Sequence, residues 1–155
     1  MRTLFNALLA LAITTAVAHA ADNTIGTWKL NLEKSKYTGA PMPLKSLTLT
    51  RESSDGGVKQ TTTGEQADGT AINASYTAKY DGTDVPVTGN SPYDTIAVKQ
   101  VNANTLTDAR KKTGGKYQAT SRLVVSNGGK TMTSTIKGTN ADGKEFTAAF
   151  VFDKQ

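Results

Sequence analysis

The chain has no cysteine and a single histidine, His19. The first absence excludes disulfides, thiolate nucleophiles and cysteine-ligated zinc. The second weighs more once the N-terminus is read, because His19 falls inside a segment with the character of a removable leader. The remainder then has no imidazole, and a Ser-His-Asp triad lacks its base. Aromatic residues make up 6% of the chain and charged residues 20%. Only one long apolar run is present, Leu4 to Val17. Beyond it no stretch carries a convincing helical period.

The leader has three parts. Met1-Arg2 supplies a positive charge, Leu4–Val17 is an apolar stretch too short to span a bilayer, and Ala18-His19-Ala20 is a small-residue cleavage pattern. This layout predicts a signal-peptide helix over residues 1–20, cleavage after Ala20, and export to a bacterial periplasm or beyond, with no stable membrane insertion afterwards. Residues 21–155 suit one domain. At that size roughly two thirds of the unfolded surface is buried on folding, so a core needs neither staple nor metal. Removing Arg2 lowers the net charge of +5 by one unit. The lysines that dominate it (Lys29, Lys59, Lys79, Lys99, Lys137 among them) are spread along the chain, as on a solvated sheet with guarded edges. A nucleic-acid footprint would be clustered and interleaved with aromatics. No nucleic-acid partner and no cofactor is expected.

What is present is a ladder of short alternating segments. In Ala71–Tyr80, Ile72, Ala74, Tyr76, Ala78 and Tyr80 share one face while Asn73, Ser75, Thr77 and Lys79 share the other. The same reading gives strands over Gly26–Leu32, Lys45–Glu52, Val58–Thr63, Thr95–Val101, Thr105–Lys112, Lys116–Ser126, Thr131–Gly138 and Glu145–Asp153. The links carry turn pairs: Asp55-Gly56, Asp68-Gly69, Asp81-Gly82 and Gly128-Gly129. Val85-Pro86-Val87 reads as an edge or broken strand, because proline has no donor for a ladder. Glu33–Leu44 has room for one helical turn before Gly39, Pro41 and Pro43 end it. Segments with tight links at this spacing predict an all-β fold: a single antiparallel up-and-down barrel of about 8–10 strands.

Gly26-Thr27-Trp28-Lys29-Leu30 resembles the G-x-W opening strand of the calycins, the lipocalins and intracellular fatty-acid-binding proteins. The closing stretch is similar too: Lys116, Arg122, Gly129-Lys130-Thr131-Met132, then Phe150-Val151-Phe152-Asp153-Lys154. The resemblance implies a barrel with a ligand inside, Trp28 plugging its floor beneath a cation, and Gly26 and Trp28 in structural roles. It also implies an inward arginine at Arg122. Two departures stand out. The fatty-acid-binding family inserts a helical lid after its first strand, and this chain has no room for one. That family also holds a carboxylate with an arginine and a tyrosine on the last strand, where Phe150 and Phe152 stand here.

The residues themselves leave several questions open. Leu123 and Val125 occupy the phase opposite to Arg122, which argues that Arg122 points outward. Arg110 and Asp108 share a phase with Leu106, and Arg51 shares one with Leu47 and Leu49. If those leucines face inward, the charges sit near a barrel mouth, gripping a ligand or reaching out to solvent. Tyr76, Tyr117, Phe150 and Phe152 would line an interior. Small residues such as Ala74, Ala78, Ala119 and Ala148 leave room for a cavity, though they also suit a packed, tapering barrel. The turns Asp81–Asp84 and Asn140–Gly143 lack the ligand count of a calcium loop. The four glutamates, Glu33, Glu52, Glu65 and Glu145, show no convergence on an acid/base pair. The reading that results is a non-catalytic, monomeric, exported barrel holding a small hydrophobic or amphiphilic ligand through Arg122, Arg110, Tyr76, Tyr117, Phe150 and Phe152. The alternative is an envelope or inhibitor-type barrel with a filled core that works through its loops. A cavity of at least ~300 Å³, the size a drug-like ligand needs, separates the two.

Overall fold

The computed structural model describes residues 21–126 and 128–155; the leader lies outside them. Eleven antiparallel strands form one sheet: β1 (Gly26–Thr38), β2 (Leu44–Ser54), β3 (Gly57–Gln66), β4 (Ala71–Lys79), β5 (Asp81–Pro86), β6 (Thr88–Asn90), β7 (Thr95–Asn102), β8 (Thr105–Lys111), β9 (Gln118–Ser126), β10 (Thr131–Thr139) and β11 (Glu145–Lys154). Their order is β5-β7-β8-β9-β10-β11-β1-β2-β3-β4-β6. The first long strand is therefore bonded to the last, with Trp28 opposite Lys154 and Leu30 opposite Phe152. The sheet curls into a nearly closed barrel.

The count exceeds the expected 8–10 because residues 81–90 divide. After β4 the chain turns and pairs as β5 with β7, ending at Pro86; it then returns as β6 to pair with β4. The barrel's seam lies between these edges, and the chain crosses it at the buried Val87. Gly89 makes the crossing possible. Its φ is +90°, and a Cβ there would lie 2.1 Å from the Asn73 carbonyl oxygen. Gly89→Ala is expected to lift β6 off β4. The backbone strain involved, ~1–3 kcal/mol, should speed amide exchange along the β4–β6 pair about tenfold or more while leaving β10–β11 unchanged. Unaltered exchange at Ser75 and Asn90 would contradict that role.

β1 departs most from the sequence reading. It runs to Thr38, and no helical turn forms in 33–44. The strand bulges instead between Asn31 and Lys36. Ser35 closes the bulge by donating to the Asn31 carbonyl at 2.6 Å and accepting from the Val151 amide at 2.9 Å; Asn31 Oδ1 accepts from the Lys34 amide. Side chains thus replace the ladder bonds that a bulge forfeits. The bulge also shifts the alternation. Trp28 and Leu30 point inward before it, Leu32 is left in solvent, and Tyr37 points inward after it.

Elsewhere the inward phase is the predicted one. Ala74, Tyr76 and Ala78, Leu123 and Val125, and Phe146, Ala148, Phe150 and Phe152 are all buried. At the floor, Trp28 is fully buried; its Nε1 donates to the Thr24 carbonyl at 2.8 Å, and Lys154 Nζ sits 5.0 Å from the ring centre. Val58, Met132 and Phe152 are buried in the same core.

Candidate functional site

The interior is stacked in layers, and register places them. One inward row runs Arg51, Gln60, Tyr76 across β2, β3 and β4. A second runs Asp108, Ser121, Ile136 across β8, β9 and β10. A third, one step nearer the mouth, carries Arg110 opposite Ala119. The polar rows meet the space left by the small residues Ala74, Ala78, Ala119 and Ala148. Long side chains occupy most of it, leaving a chamber of about 90 Å³ that is open on one side. Leu49, Leu106, Leu123, Ile136, Phe150 and Phe152 give that chamber its greasy wall.

The two arginines inside are held very differently. Arg110 Nε donates to Asp108 Oδ1 at 2.7 Å and Nη2 to Oδ2 at 3.0 Å, a forked pair that also engages Ser121. Its guanidinium lies 5.3 Å from the Tyr93 ring centre. Burial opposes the Arg110 charge more than any other single influence, and Asp108 together with Tyr93 and Tyr117 outweighs it, so its pKa stands well above the ordinary arginine value. Arg51, 3% exposed, forms no ion pair among the described residues. Its Nε donates to Thr24 Oγ1 at 3.2 Å and its Nη1 to Gln60 Oε1. Thr24 in turn donates to Asp22 at 2.6 Å, so the nearest compensating carboxylate is one hydroxyl removed. The Arg51 Nη2 has no partner, nor has Ser134 Oγ, and both residues line the chamber.

Stacked rings roof the mouth. Tyr37 lies on Phe146 at 5.5 Å and on Phe150 at 6.4 Å; Tyr93 stacks on Tyr117 at 5.8 Å; Tyr117 meets Phe146 at 6.2 Å. The tyrosines here are only half-buried. Burial pushes the Tyr117 hydroxyl up to about 12 and raises Tyr37 and Tyr76; burial and the Asp22 bond raise Tyr80. A phenol whose folded pKa exceeds 10 contributes stability that is whole below pH ~10 and is lost as pH climbs to the folded value. The barrel's resistance to urea should therefore fall as pH rises from ~10 to ~12, with phenolate absorbance rising over the same range. Tyrosine titration that is complete near pH 10 in an intact barrel would contradict this layering.

The positions expected from sequence fall into three groups. Arg110, Tyr76, Phe150 and Phe152 line the chamber, and Tyr117 sits in its roof. Trp28 and Gly26 belong to the floor; a Cβ on Gly26 would meet the Lys154 side chain at 2.9 Å. Arg122 requires a correction. It is exposed on the outer face, because Leu123 and Val125 take the inward phase of β9, so the inward arginine that the resemblance implied is not there. It borders an open outer groove of about 900 Å³ with Lys99 and Lys137. That groove is the larger hollow, but it is open to solvent and its cations are hydrated. A pocket that buries most of a ligand needs walls on most sides. Arg51 is corrected as well: it lies in the interior, not at a mouth, and Gln60 and Ser134 join it without having been singled out. Their one sequence signal is phase. Arg51 alternates with Leu49, Gln60 with Val58, and Ser134 with Met132 and Ile136. Among the described residues no three acidic side chains converge as a metal site requires.

No protein-family model matches the chain, and no curated protein does. Among solved structures, the chain is similar to zebrafish ileal bile acid-binding protein complexed with cholic acid. The identity is 11% over 86% of this chain and 100% of that one, with a TM-score of 0.50. A redesigned β-barrel, mFAP1, bound to DFHBI, matches at 15% identity over 88% of this chain and 100% of that one, with a TM-score of 0.44. The zebrafish match shows a shared fold. In this chain β1 and β2 of the shared barrel are joined by a short proline-containing link (39–43) with no helix in it.

Proposed function

We propose that the chain is an exported, non-catalytic binding barrel for a small amphiphilic molecule, acting as a monomer in a bacterial periplasm after cleavage behind Ala20. The observation that carries the binding role is the chamber, walled by both apolar and polar groups and roofed by stacked tyrosines. Its volume of about 90 Å³ falls short of the ~300 Å³ set above as the mark that separates the binder from a filled barrel, so on cavity size alone the closed form counts towards the filled-core reading. The closed barrel accepts only a short molecule, and a longer one enters by parting the Tyr37, Tyr93 and Tyr117 rings. Export rests on the three-part leader, and the lack of imidazole and thiol in residues 21–155 supports a non-catalytic role.

The near-filled interior favours one second reading, the envelope or inhibitor-type barrel that binds another protein through its loops. Calorimetric titration with laurate separates the two. The binding barrel predicts saturable uptake of one laurate, with a negative heat-capacity change from apolar burial. Native mass spectrometry of protein from its own host should show an added mass that leaves on denaturation. No laurate uptake together with a bare native mass would overturn the binding reading in favour of the second.

A further inference from the structure

We propose that the outer face of β7–β11 is a docking groove for an unbranched anionic polymer, one that carries its charge along its own thread. The groove lies outside the barrel and owes nothing to a ligand within it. The sequence spreads its cations, and register gathers three of them. Lys99, Thr107, Arg122 and Thr135 form one outward row across β7, β8, β9 and β10. The adjoining row runs Ala97, Ala109, Thr120, Lys137. The small side chains of that second row floor the groove, and Lys99, Arg122 and Lys137 border it. A further open hollow, of about 750 Å³, continues it along Ala109, Thr120 and Thr147.

Charge points to the partner. None of the three cations is in an ion pair among the described residues. The acids nearby are engaged: Asp84 pairs with Lys111, and Asp81, opposite Lys99, accepts the Thr83 amide. The outer face of β2–β4 is built otherwise, with Glu65 2.6 Å from Lys45 and Glu52 4.0 Å from Lys59. Three like charges left together repel one another, and a polyanion relieves that repulsion.

Two features restrict the partner's class. Among the described residues no aromatic side chain lines the larger hollow. It offers neither a stacking platform for bases nor the aromatic anchors of a protein interface. Lys99 and Arg122 stand two strands apart, ~10 Å, so a lone small anion reaches one at a time. A single exposed charge pair is worth little, whereas anions linked on one thread gain from effective concentration. Thr107 and Thr135, in the row of Lys99 and Arg122, add hydroxyl donors for the thread's oxygens.

The test is fluorescence anisotropy of end-labelled polyphosphate and of labelled dextran sulfate with the full exported chain over a range of salt. Affinity should fall with salt at a log–log slope of about 2, three cations at ~0.7 each. Inorganic phosphate should compete only at far higher concentration. Binding of one polymer alone would support the groove and name its anion as phosphate or sulfate. Lys99→Gln, Arg122→Gln and Lys137→Gln together should weaken binding at least tenfold and flatten the slope, with an unchanged urea midpoint. Lys45→Gln, Lys59→Gln and Lys79→Gln together remove the same charge from the other face and should cost about threefold at most. Equal losses in the two triple variants would mean that net charge alone draws the polymer, and would overturn the groove. So would binding of neither polymer at low salt, or capture by phosphatidylglycerol vesicles but not by the soluble polymers. Tighter binding of oligothymidylate than of polyphosphate of equal charge would overturn it too.

Discussion

Replacing Asp108 by alanine is expected to destabilise the barrel by about 3–5 kcal/mol, the usual result of leaving a buried charge without its partner. The side chains of Arg110 and Asp108 are 17% and 9% exposed, so solvent screens little of the loss. Arg110 would lose both arms of its fork, and Ser121 its acceptor. The interior would then hold two cations and no carboxylate in contact with either. The converse variant separates pairing from charge. Asp108→Leu combined with Arg110→Met removes both ions and replaces them with apolar volume, and should recover most or all of the stability. Urea unfolding of Asp108→Leu, Arg110→Met and the double variant forms a cycle whose coupling term is the pair itself. A loss below about 1 kcal/mol for Asp108→Ala, typical of exposed pairs, would mean that water reaches this layer.

Trp28→Ala should be of similar size, about 3–5 kcal/mol, and for a different reason. The indole is fully buried in the same core as Val58, Met132 and Phe152 and donates to the Thr24 carbonyl. Truncation combines lost burial with a cavity that a sheet-bound floor cannot collapse to fill. It also frees Thr24, through which Asp22 is linked to Arg51. Trp28→Phe keeps most of the volume and loses mainly the hydrogen bond, so its cost should fall to about 1–2 kcal/mol. Because Trp28 is the chain's one tryptophan, unfolding is best followed by circular dichroism, with the denaturant slope checked for constancy. Equal losses for the alanine and phenylalanine variants would show that the indole N–H, and not packing, secures the floor.

The barrel was legible because its rules are local. Alternation such as Ile72-Ala74-Tyr76-Ala78 sets which side chains point inward, and Gly-containing turns set where strands end. The bulge in β1 was not legible, since it depends on Ser35 reaching an amide on β11, 116 residues away. At the candidate site, phase correctly pointed Arg51 and Arg110 along with their leucines. Charge argued the other way, because buried arginines are rare unless paired. Only the register across β2, β3 and β4 shows that Gln60 and Tyr76 line up beside Arg51. For Arg122, alternation and resemblance disagreed, and the two aliphatic residues Leu123 and Val125 decided the phase of β9. The size of the chamber had no sequence signal at all. It is the small remainder of alanines on one side and long polar side chains on the other.

The account turns on where an amphiphile comes to rest. Nuclear Overhauser contacts from the protons of isotope-labelled laurate locate it directly. They should reach the methyl groups of Leu49, Leu123 and Ile136 around the chamber. Contacts confined to Thr120 and Thr135 in the outer groove, or no contacts at concentrations where laurate heat is seen, would contradict it.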